Sequence, residues 1–487
     1  MPGTAPVIVV KGLASSYEIE HLARLFLPGA QMRMAEGTRG AAVVYARAGG
    51  RRLAAGVRLA GRCVARTAPR PAQAEDVKWV LSRLLYDALR EVTGIRPPWG
   101  MLTGVRPLNL VRKMLLQGGE AAAEARLLDR CDVLPGKYRM ARQIVARQQP
   151  VLQSSGGRSY SLYVSIPFCP SRCDYCSFVS RTTDREGGLV APYLDKLAEE
   201  LALTAEMADA NGLRLESIYV GGGTPTALDS RQLERLLLAV ATHFDTAAVR
   251  EYTVEAGRPD CTGAEKLALL KAYGVGRVSI NPQSMDDGVL ARIGRRHTAE
   301  DIRRCFAEAR AAGHGCINMD VIAGLPGDSN AGFAQSMEAV LALGPENITV
   351  HALTLKRASN LVVDGRNDAA APGVMVAHAT ERLAKAGYQP YYLYRQKSSP
   401  DNLENIGWAL PGHFGLYNIF IMEEAHSILA VGAGAATKLV GAGGSVIKRL
   451  FNHKFPAEYI REFEQLQARK RGVNAFYARY LDSETAG

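Results

Sequence analysis

A chain of 487 residues, 47% hydrophobic and 22% charged, is ordinary globular material, long enough for two or three domains with sizeable cores. The opening Met1-Pro2-Gly3-Thr4 lacks the basic-then-apolar pattern of a signal peptide, and the most apolar late stretch, Ser427 to Ile447, carries Lys438 and five glycines, which excludes a membrane helix there. The formal charge of +11 sits entirely in the N-terminal third: residues 1–150 hold 24 Lys and Arg against 11 Asp and Glu, the remainder 35 against 37.

Residues 6–70 read as a small basic α/β unit. Val7 to Val10 is a short apolar strand, Tyr17 to Leu27 has helical spacing, and Ala41 to Tyr45 and Gly56 to Leu59 are further strands. Pro69 and Pro71 mark a boundary. From Glu75 to about Val151 the pattern is helical, with Val77, Val80, Leu81, Leu84 and Leu85 on one face, interrupted at Pro97-Pro98-Trp99-Gly100. The basic excess of this third is either a solvated surface or a surface for an anionic partner such as RNA.

After Ser154-Ser155-Gly156-Gly157 strand and helix alternate. Strands are expected at Ser161–Ile166, Ser217–Val220, Glu251–Glu255, Arg277–Asn281, Ile317–Ile322 and Asn347–His351. The clearest helices lie at Val190–Met207, Ser230–His243, Glu300–Ala312 and Ala331–Leu343. Such alternation predicts a parallel sheet, and six units are too few for a closed eightfold barrel. In parallel sheets the chemistry gathers beyond the C-terminal strand ends. Cys169, Gly221 to Pro225, Glu255, Gln283 and Asp320 all fall at or near those ends, so one site across them is expected.

Three of eight cysteines, Cys169, Cys173 and Cys176, lie in the loop after the first of these strands, spaced C-x3-C-x2-C. Thiolates are the ligands of iron–sulfur clusters, and three of them leave one iron of a cubic cluster open. Structural zinc would want a fourth ligand nearby, and no Cys or His follows until His243. An odd trio cannot pair internally as disulfides. A cytoplasmic chain with reduced cysteines is expected, and Cys63, Cys131, Cys261, Cys305 and Cys316 are then buried free thiols.

This spacing, followed by Gly221-Gly222-Gly223-Thr224-Pro225, resembles the radical S-adenosylmethionine (SAM) superfamily. Within it the chain is similar to the oxygen-independent coproporphyrinogen III oxidase family, above all to its longer HemZ-type members. The resemblance implies an α/β fold: a partial (β/α)6 barrel over 156–395, with a small basic α/β domain (1–72) and a helical region (73–155) before it. A C-terminal α-rich domain (396–487) follows. It implies a [4Fe-4S] cluster on Cys169, Cys173 and Cys176, with SAM at the open iron. Tyr175 would approach the adenine, or simply pack beside the cluster. The Gly221, Gly222, Gly223 and Thr224 loop would meet the SAM ammonium, a tight structural turn being the plain alternative. Glu255, Gln283 and Asp320 would bind the methionine moiety or ribose hydroxyls, and Arg295 the SAM carboxylate.

The implied reaction is oxidative decarboxylation of coproporphyrinogen III to protoporphyrinogen IX, fed by an electron donor such as flavodoxin or ferredoxin. Lys356, Arg357, Arg395 and Lys397 are candidate cations for the propionates, with solvated surface charge as the plain alternative. Two features depart from the family patterns. Phe178 stands where the classical enzymes carry a further cysteine, and Asp401 stands where the heme-chaperone relatives carry the histidine of a His-Asn-Leu motif. A heme chaperone and an RNA-modifying radical SAM enzyme are the alternatives.

Overall fold

The computed structural model describes residues 6–27, 30, 32–34, 42–178, 181–354, 359, 361, 372–396 and 402–481. Contacts divide the chain into two units, Met1–Gln143 with Tyr394–Glu404, and Ile144–Leu393 with Asn405–Gly487.

In the first unit, strands β1 (Val7–Lys11), β2 (Arg33–Met34), β3 (Val43–Gly49), β4 (Arg52–Leu59) and β5 (Arg62–Pro69) form a sheet of order β2-β1-β3-β4-β5. Helices α1 (Tyr17–Phe26) and α2 (Ala74–Thr93) pack on one face. Leu22, Phe26, Leu81, Leu85 and Leu89 meet Ile8, Val44, Ala46, Leu53, Ala55 and Val57 there. Arg52 and Arg58 of β4 point to the opposite face, where Val7, Val9 and Val43 form a second buried cluster. Strand β5 was not foreseen, because its arginines and small residues carry little apolar alternation and Pro69 looks like a boundary. It pairs along its whole length with β4. Cys63 lies on it and is exposed, contrary to the expectation of a buried thiol, because it points to the outer face of an edge strand; Cys131 and Cys305 are buried, Cys261 and Cys316 half-buried. Helix α3 (Pro107–Glu124) opens on the proline that fits a first helical turn. Buried Asp132 accepts hydrogen bonds from Tyr86 (2.6 Å), Arg96 (2.6 Å) and Arg90 (3.1 Å). Trp99 Nε1 donates to Glu404 (2.7 Å), which also pairs with Lys137.

The second unit is built on six parallel strands. After α4 (Pro135–Gln153) come β6 (Ser159–Ile166), a short pair β7 (Phe168–Cys169) and β8 (Arg181–Thr182), then β9 (Arg214–Gly222), β10 (Glu251–Glu255), β11 (Arg277–Ser279), β12 (Cys316–Ala323) and β13 (Asn347–Ala352). Strands β6 and β9 to β13 lie side by side in chain order, all parallel. Between them run the helices Val190–Ala210, Ser230–His243, Ala264–Ala272, Ala299–Ala311 and Asn330–Leu343. Asp229, Thr298 and Ser329 cap three of these helices by accepting N–H groups of the first turn. This is the parallel sheet expected from the alternation, and the partial (β/α)6 barrel that the resemblance implies.

The C-terminal residues add strands to both edges of that sheet as well as four helices. After β14 (Gln389–Arg395), β15 (Glu404–Ala409) lies antiparallel on β13, and β16 (Ser427–Val431) lies parallel on β6. Strands β17 (Ala436–Gly441) and β18 (Val446–Phe451) follow as a meander. The apolar stretch at Ser427 to Ile447 is thus strand, with Lys438 Nζ bonded to the Ile421 carbonyl (2.9 Å). Among the described residues no helix is long and apolar enough to cross a membrane.

One buried ionic knot ties the strand β16 end to the helix Val190–Ala210. Fully buried Glu200 accepts from Gly432 N (2.7 Å), Asn452 (2.8 Å), Tyr459 (2.6 Å) and Lys470 (2.6 Å). Lys470 also reaches Thr204 and the Ala430 carbonyl. Gly432 is glycine of necessity: at φ +94° an added Cβ would lie 2.4 Å from Tyr193 Oη and 2.6 Å from the Ser165 carbonyl. Removing one partner of such a pair leaves a bare buried charge, so Lys470→Ala is expected to cost about 3–5 kcal/mol in chemical denaturation. Glu200→Gln combined with Lys470→Met should recover much of that loss.

Candidate active site

The six parallel strands bring their C-terminal ends to one side, and the loops there carry the expected site residues. The loop after β6 holds the cysteines. It is pinned at its start by two backbone bonds to the glycine loop after β9: Gly223 N to Ile166 O (2.7 Å) and Thr224 N to Phe168 O (2.7 Å). A Cβ on Gly223 would sit 2.5 Å from the Phe168 carbonyl and 3.0 Å from Cys169 Sγ, so no other residue lets the two loops meet. Thr224 Oγ1 donates to Cys169 Sγ at 3.5 Å. Gly222, at φ +108°, adopts backbone that L side chains rarely enter, and a Cβ on Gly221 would fill the space before the Glu255 carboxyl (3.0 Å).

Beyond Cys169 the loop is held from the opposite strands. Asp174 N donates to the Ile293 carbonyl (3.0 Å) and Cys176 N to the Cys173 carbonyl (3.1 Å). Arg258, buried behind β10, donates to Cys173 Sγ (3.4 Å), the Ser171 carbonyl (3.3 Å) and Ser171 Oγ (2.9 Å). Its guanidinium is gripped by Asp260 through two bonds (2.8 and 2.7 Å), and His297 Nδ1 faces the same carboxylate at 3.4 Å. Burial works against the Asp260 charge, but His297 and Arg258 outweigh it and hold its pKa well below the usual range.

Arg295 is buried while the adjacent Arg296 is exposed. Its guanidinium donates to Tyr175 Oη (2.8 Å) and to the carbonyls of Gly257 (3.1 Å) and Asn281 (3.4 Å). Its Nε and the Asn281 Oδ1 are buried with no hydrogen-bond partner among the described residues. Gln283 takes a left-handed backbone (φ +66°) that lets it bond both ways with β12: Gln283 N to Asp320 O (2.9 Å) and Ile322 N to Gln283 O (3.0 Å). Asp320 accepts from Asn318 (2.9 Å) and faces His351 Nε2 (3.6 Å). Burial alone would raise its pKa; His351, Asn318 and Thr349 hold it below the ordinary value instead. Glu255 has no such cation. Burial lifts it to about 7 against the single bond from Tyr219 Oη (2.7 Å), with Asp320 adding repulsion. Beside it Tyr163, Tyr219 and Tyr417 stack, with Tyr219 and Tyr417 centroids 4.4 Å apart.

The expected residues fall into four contact groups at the C-terminal ends of the parallel strands. Cys169 joins Thr224 and Gly223, Tyr175 joins Arg295, Glu255 joins Gly221, and Gln283 joins Asp320. Arg395 belongs to none of them: it is buried in the first unit, where it donates to the Leu102 and Gly104 carbonyls. Its guanidinium is engaged with those backbone carbonyls, which removes it as a cation for substrate. Lys356, Arg357, Lys397 and Asp401 lie outside the described residues. Asn402, next in the chain, is buried and donates to the Leu25 carbonyl (2.6 Å). Phe178 is 68% exposed. Arg258, Asp260, His297 and His351 were missed. The signal for the first two was present, since Gly257-Arg258-Pro259-Asp260 directly follows a strand end on the chemical side.

The residues fit the groups that the C-x3-C-x2-C loop calls for. The three thiols of the loop are near enough to act on one another. Burial lifts Cys176 to about 11, and the Cys173 and Cys169 charges add to it, so a cationic centre is needed to hold all three as thiolates. The orphaned Arg295 Nε and Asn281 Oδ1, and the cradle over Gly221 to Gly223, offer a polar ligand both donors and acceptors.

A model of the radical SAM superfamily matches residues 163–340. The oxygen-independent coproporphyrinogen-III oxidase-like protein HemZ of Bacillus subtilis is 38% identical over 401 residues, covering 80% of this chain and 79% of that one. The heme chaperone HemW of Mycobacterium tuberculosis is 32% identical over 348 residues, 67% of this chain and 83% of that one. Among solved structures, coproporphyrinogen III oxidase (HemN) of Escherichia coli matches with a TM-score of 0.52 at 22% identity, over 66% of this chain and 73% of that one, which shows a shared fold.

The carboxyl of Glu255 gives a pH test. Its folded pKa of about 7 lies above the ordinary 4.5, so its contribution to stability is fully present below about 4.5 and lost as pH rises through 7. The full difference amounts to roughly 3 kcal/mol. Glu255→Gln, without added cofactor, should therefore melt well above the parent at pH 8 and only slightly above it at pH 5. Equal melting shifts at the two pH values would contradict the buried, uncompensated carboxyl.

Proposed function

This chain belongs to the radical SAM superfamily and, within it, to the oxygen-independent coproporphyrinogen III oxidase family, and we propose that it decarboxylates two propionates of coproporphyrinogen III to vinyl groups, giving protoporphyrinogen IX. The observation that carries the proposal is the cysteine loop clamped against the glycine loop at the head of a six-stranded parallel barrel. Cys169, Cys173 and Cys176 would hold three irons of a [4Fe-4S] cluster. When bound, cluster and SAM together supply a 5′-deoxyadenosyl radical able to take a hydrogen atom from carbon.

The chain's own residues do the rest. Gly221 to Gly223 open the space for the ligand and present carbonyls to its ammonium. Arg295, fixed by Tyr175 and two carbonyls, meets the ligand carboxylate with its remaining Nε–H. Asp320, kept ionised by His351, and Glu255 accept hydrogen bonds from ribose hydroxyls. With the group bound, each propionate would lose one β-hydrogen atom, CO2 and one further electron, the electron passing to an acceptor. A one-electron donor such as flavodoxin or ferredoxin starts each cycle.

A second reading, a heme chaperone, draws support from Phe178 in place of a fourth cysteine and from the similarity to the Mycobacterium tuberculosis heme chaperone. Anaerobic turnover of reconstituted protein separates the two. The proposal expects 5′-deoxyadenosine together with a porphyrin product lighter by two CO2 units and the accompanying hydrogens. Tight stoichiometric heme binding with no decarboxylation would select the chaperone instead. Arg258 offers a finer test, because hydrogen bonds to cluster sulfurs tune the reduction potential. Arg258→Lys is expected to retain iron but to show a more negative midpoint in an EPR-monitored redox titration, and an unchanged midpoint would remove Arg258 from this role.

A further inference from the structure

Arg395, at the end of β14, keeps one edge of its guanidinium unused. Nη1 donates to the Leu102 (2.5 Å) and Gly104 (3.4 Å) carbonyls. Nε is buried with no hydrogen-bond partner, and none of the bonds Arg395 makes among the described residues uses Nη2. Nε and Nη2 together form the edge that grips two oxygens of one carboxylate or phosphate. The next residue carries the complementary vacancy, since Gln396 Oε1 is also buried without a hydrogen-bond partner.

The charge of Arg395 is likewise unanswered. Its side chain is 5% exposed, and no carboxylate among the described residues pairs with it. Glu404 acts on it from a distance but is held by Lys137 and by Trp99 Nε1 (2.7 Å). Burial therefore pulls the Arg395 pKa down to about 10, with Glu404 resisting only in part. A buried cation that meets only neutral carbonyls is costly, and folded chains ordinarily pair it.

Both side chains line a cleft of about 380 Å³, mouth included, within the first unit. Its other walls include Arg24 and Leu25 in the last turn of α1 and the exposed Thr103 and Gly104. Asn402 Nδ2 donates to the Leu25 carbonyl (2.6 Å) and fixes the helix wall. Arg24 is bound to Glu20 through Nε (3.2 Å) and Nη2 (2.7 Å), so the charge left for a ligand is that of Arg395.

We propose that this cleft binds a small oxyanion that also carries an O–H group, with two oxygens on Nε and Nη2 of Arg395 and the hydroxyl donating to Gln396 Oε1. Hydrogenphosphate and a short 2-hydroxy carboxylate share that chemistry. Water would satisfy the two vacant atoms but leave the charge bare, and sulfate or acetate would leave Gln396 Oε1 without a donor. The site is independent of the reaction proposed for the barrel.

Isothermal titration calorimetry of the full chain near pH 7.5 with phosphate, sulfate, glycolate and acetate tests it. Phosphate or glycolate should bind once per chain, about tenfold tighter than its donor-free counterpart, the equivalent of one buried hydrogen bond. Arg395→Lys keeps the charge and can reach the same carbonyls but lacks the fork, and should bind the preferred ion at least tenfold more weakly. Gln396→Met should still bind anions but lose the preference for the hydroxyl-bearing member of each pair. Should Arg395→Lys fail to fold, as its melting curve would show, Gln396→Met decides alone. No saturable binding up to about 10 mM of any of the four ions, sulfate and acetate binding as tightly as their counterparts, or a preference unchanged in Gln396→Met would each overturn the proposal.

Discussion

The contact on which the catalytic end depends is the pair of backbone bonds from Gly223 to Ile166 and from Thr224 to Phe168. They carry the parallel register of β6 and β9 one step past the strand ends, where parallel strands ordinarily separate into their loops. Cys169 is thereby held one residue beyond the sheet, under the Thr224 hydroxyl. Only glycine permits this, because any side chain at 223 would collide with the Phe168 carbonyl and the Cys169 sulfur. The conformational freedom glycine loses on folding is the cost of that approach.

Around this contact the buried charges are arranged by compensation. Arg258 is held by Asp260 and His297, Asp320 by His351, and Glu200 by Lys470, so each of these ions faces an opposite or protonatable partner. Glu255 faces none. A neutral phenol and a nearby carboxylate leave it at about 7, where it holds or releases a proton near neutral pH. Perturbed carboxyls of this kind gather at functional sites. Its carboxyl lies against Gly221, where a Cβ would come within 3.0 Å of it.

Much of this arrangement was legible in the amino-acid order. The six parallel strands showed as short apolar runs between amphipathic helices, and the special residues showed by falling at strand ends. Strand β5 was hidden because arginine and alanine carry no apolar alternation, and β16 and β17 were hidden by glycines that mark turns rather than breaks. Within the site, residues with a chemical signature of their own were visible, whereas Arg258 and His351 matter only through what they touch. Arg395 misled for the same reason. A cation in sequence does not say which carbonyls it faces, and here they are those of Leu102 and Gly104.

The central claim is that Cys169, Cys173 and Cys176 hold one cluster with an open iron that SAM engages. Iron and sulfide analysis with EPR of the dithionite-reduced, anaerobically reconstituted chain tests it most directly. The account predicts about four irons per chain and a [4Fe-4S]-type signal that changes on adding SAM, with both lost in Cys173→Ala. Stoichiometric zinc in place of iron, or a cluster signal indifferent to SAM, would contradict it.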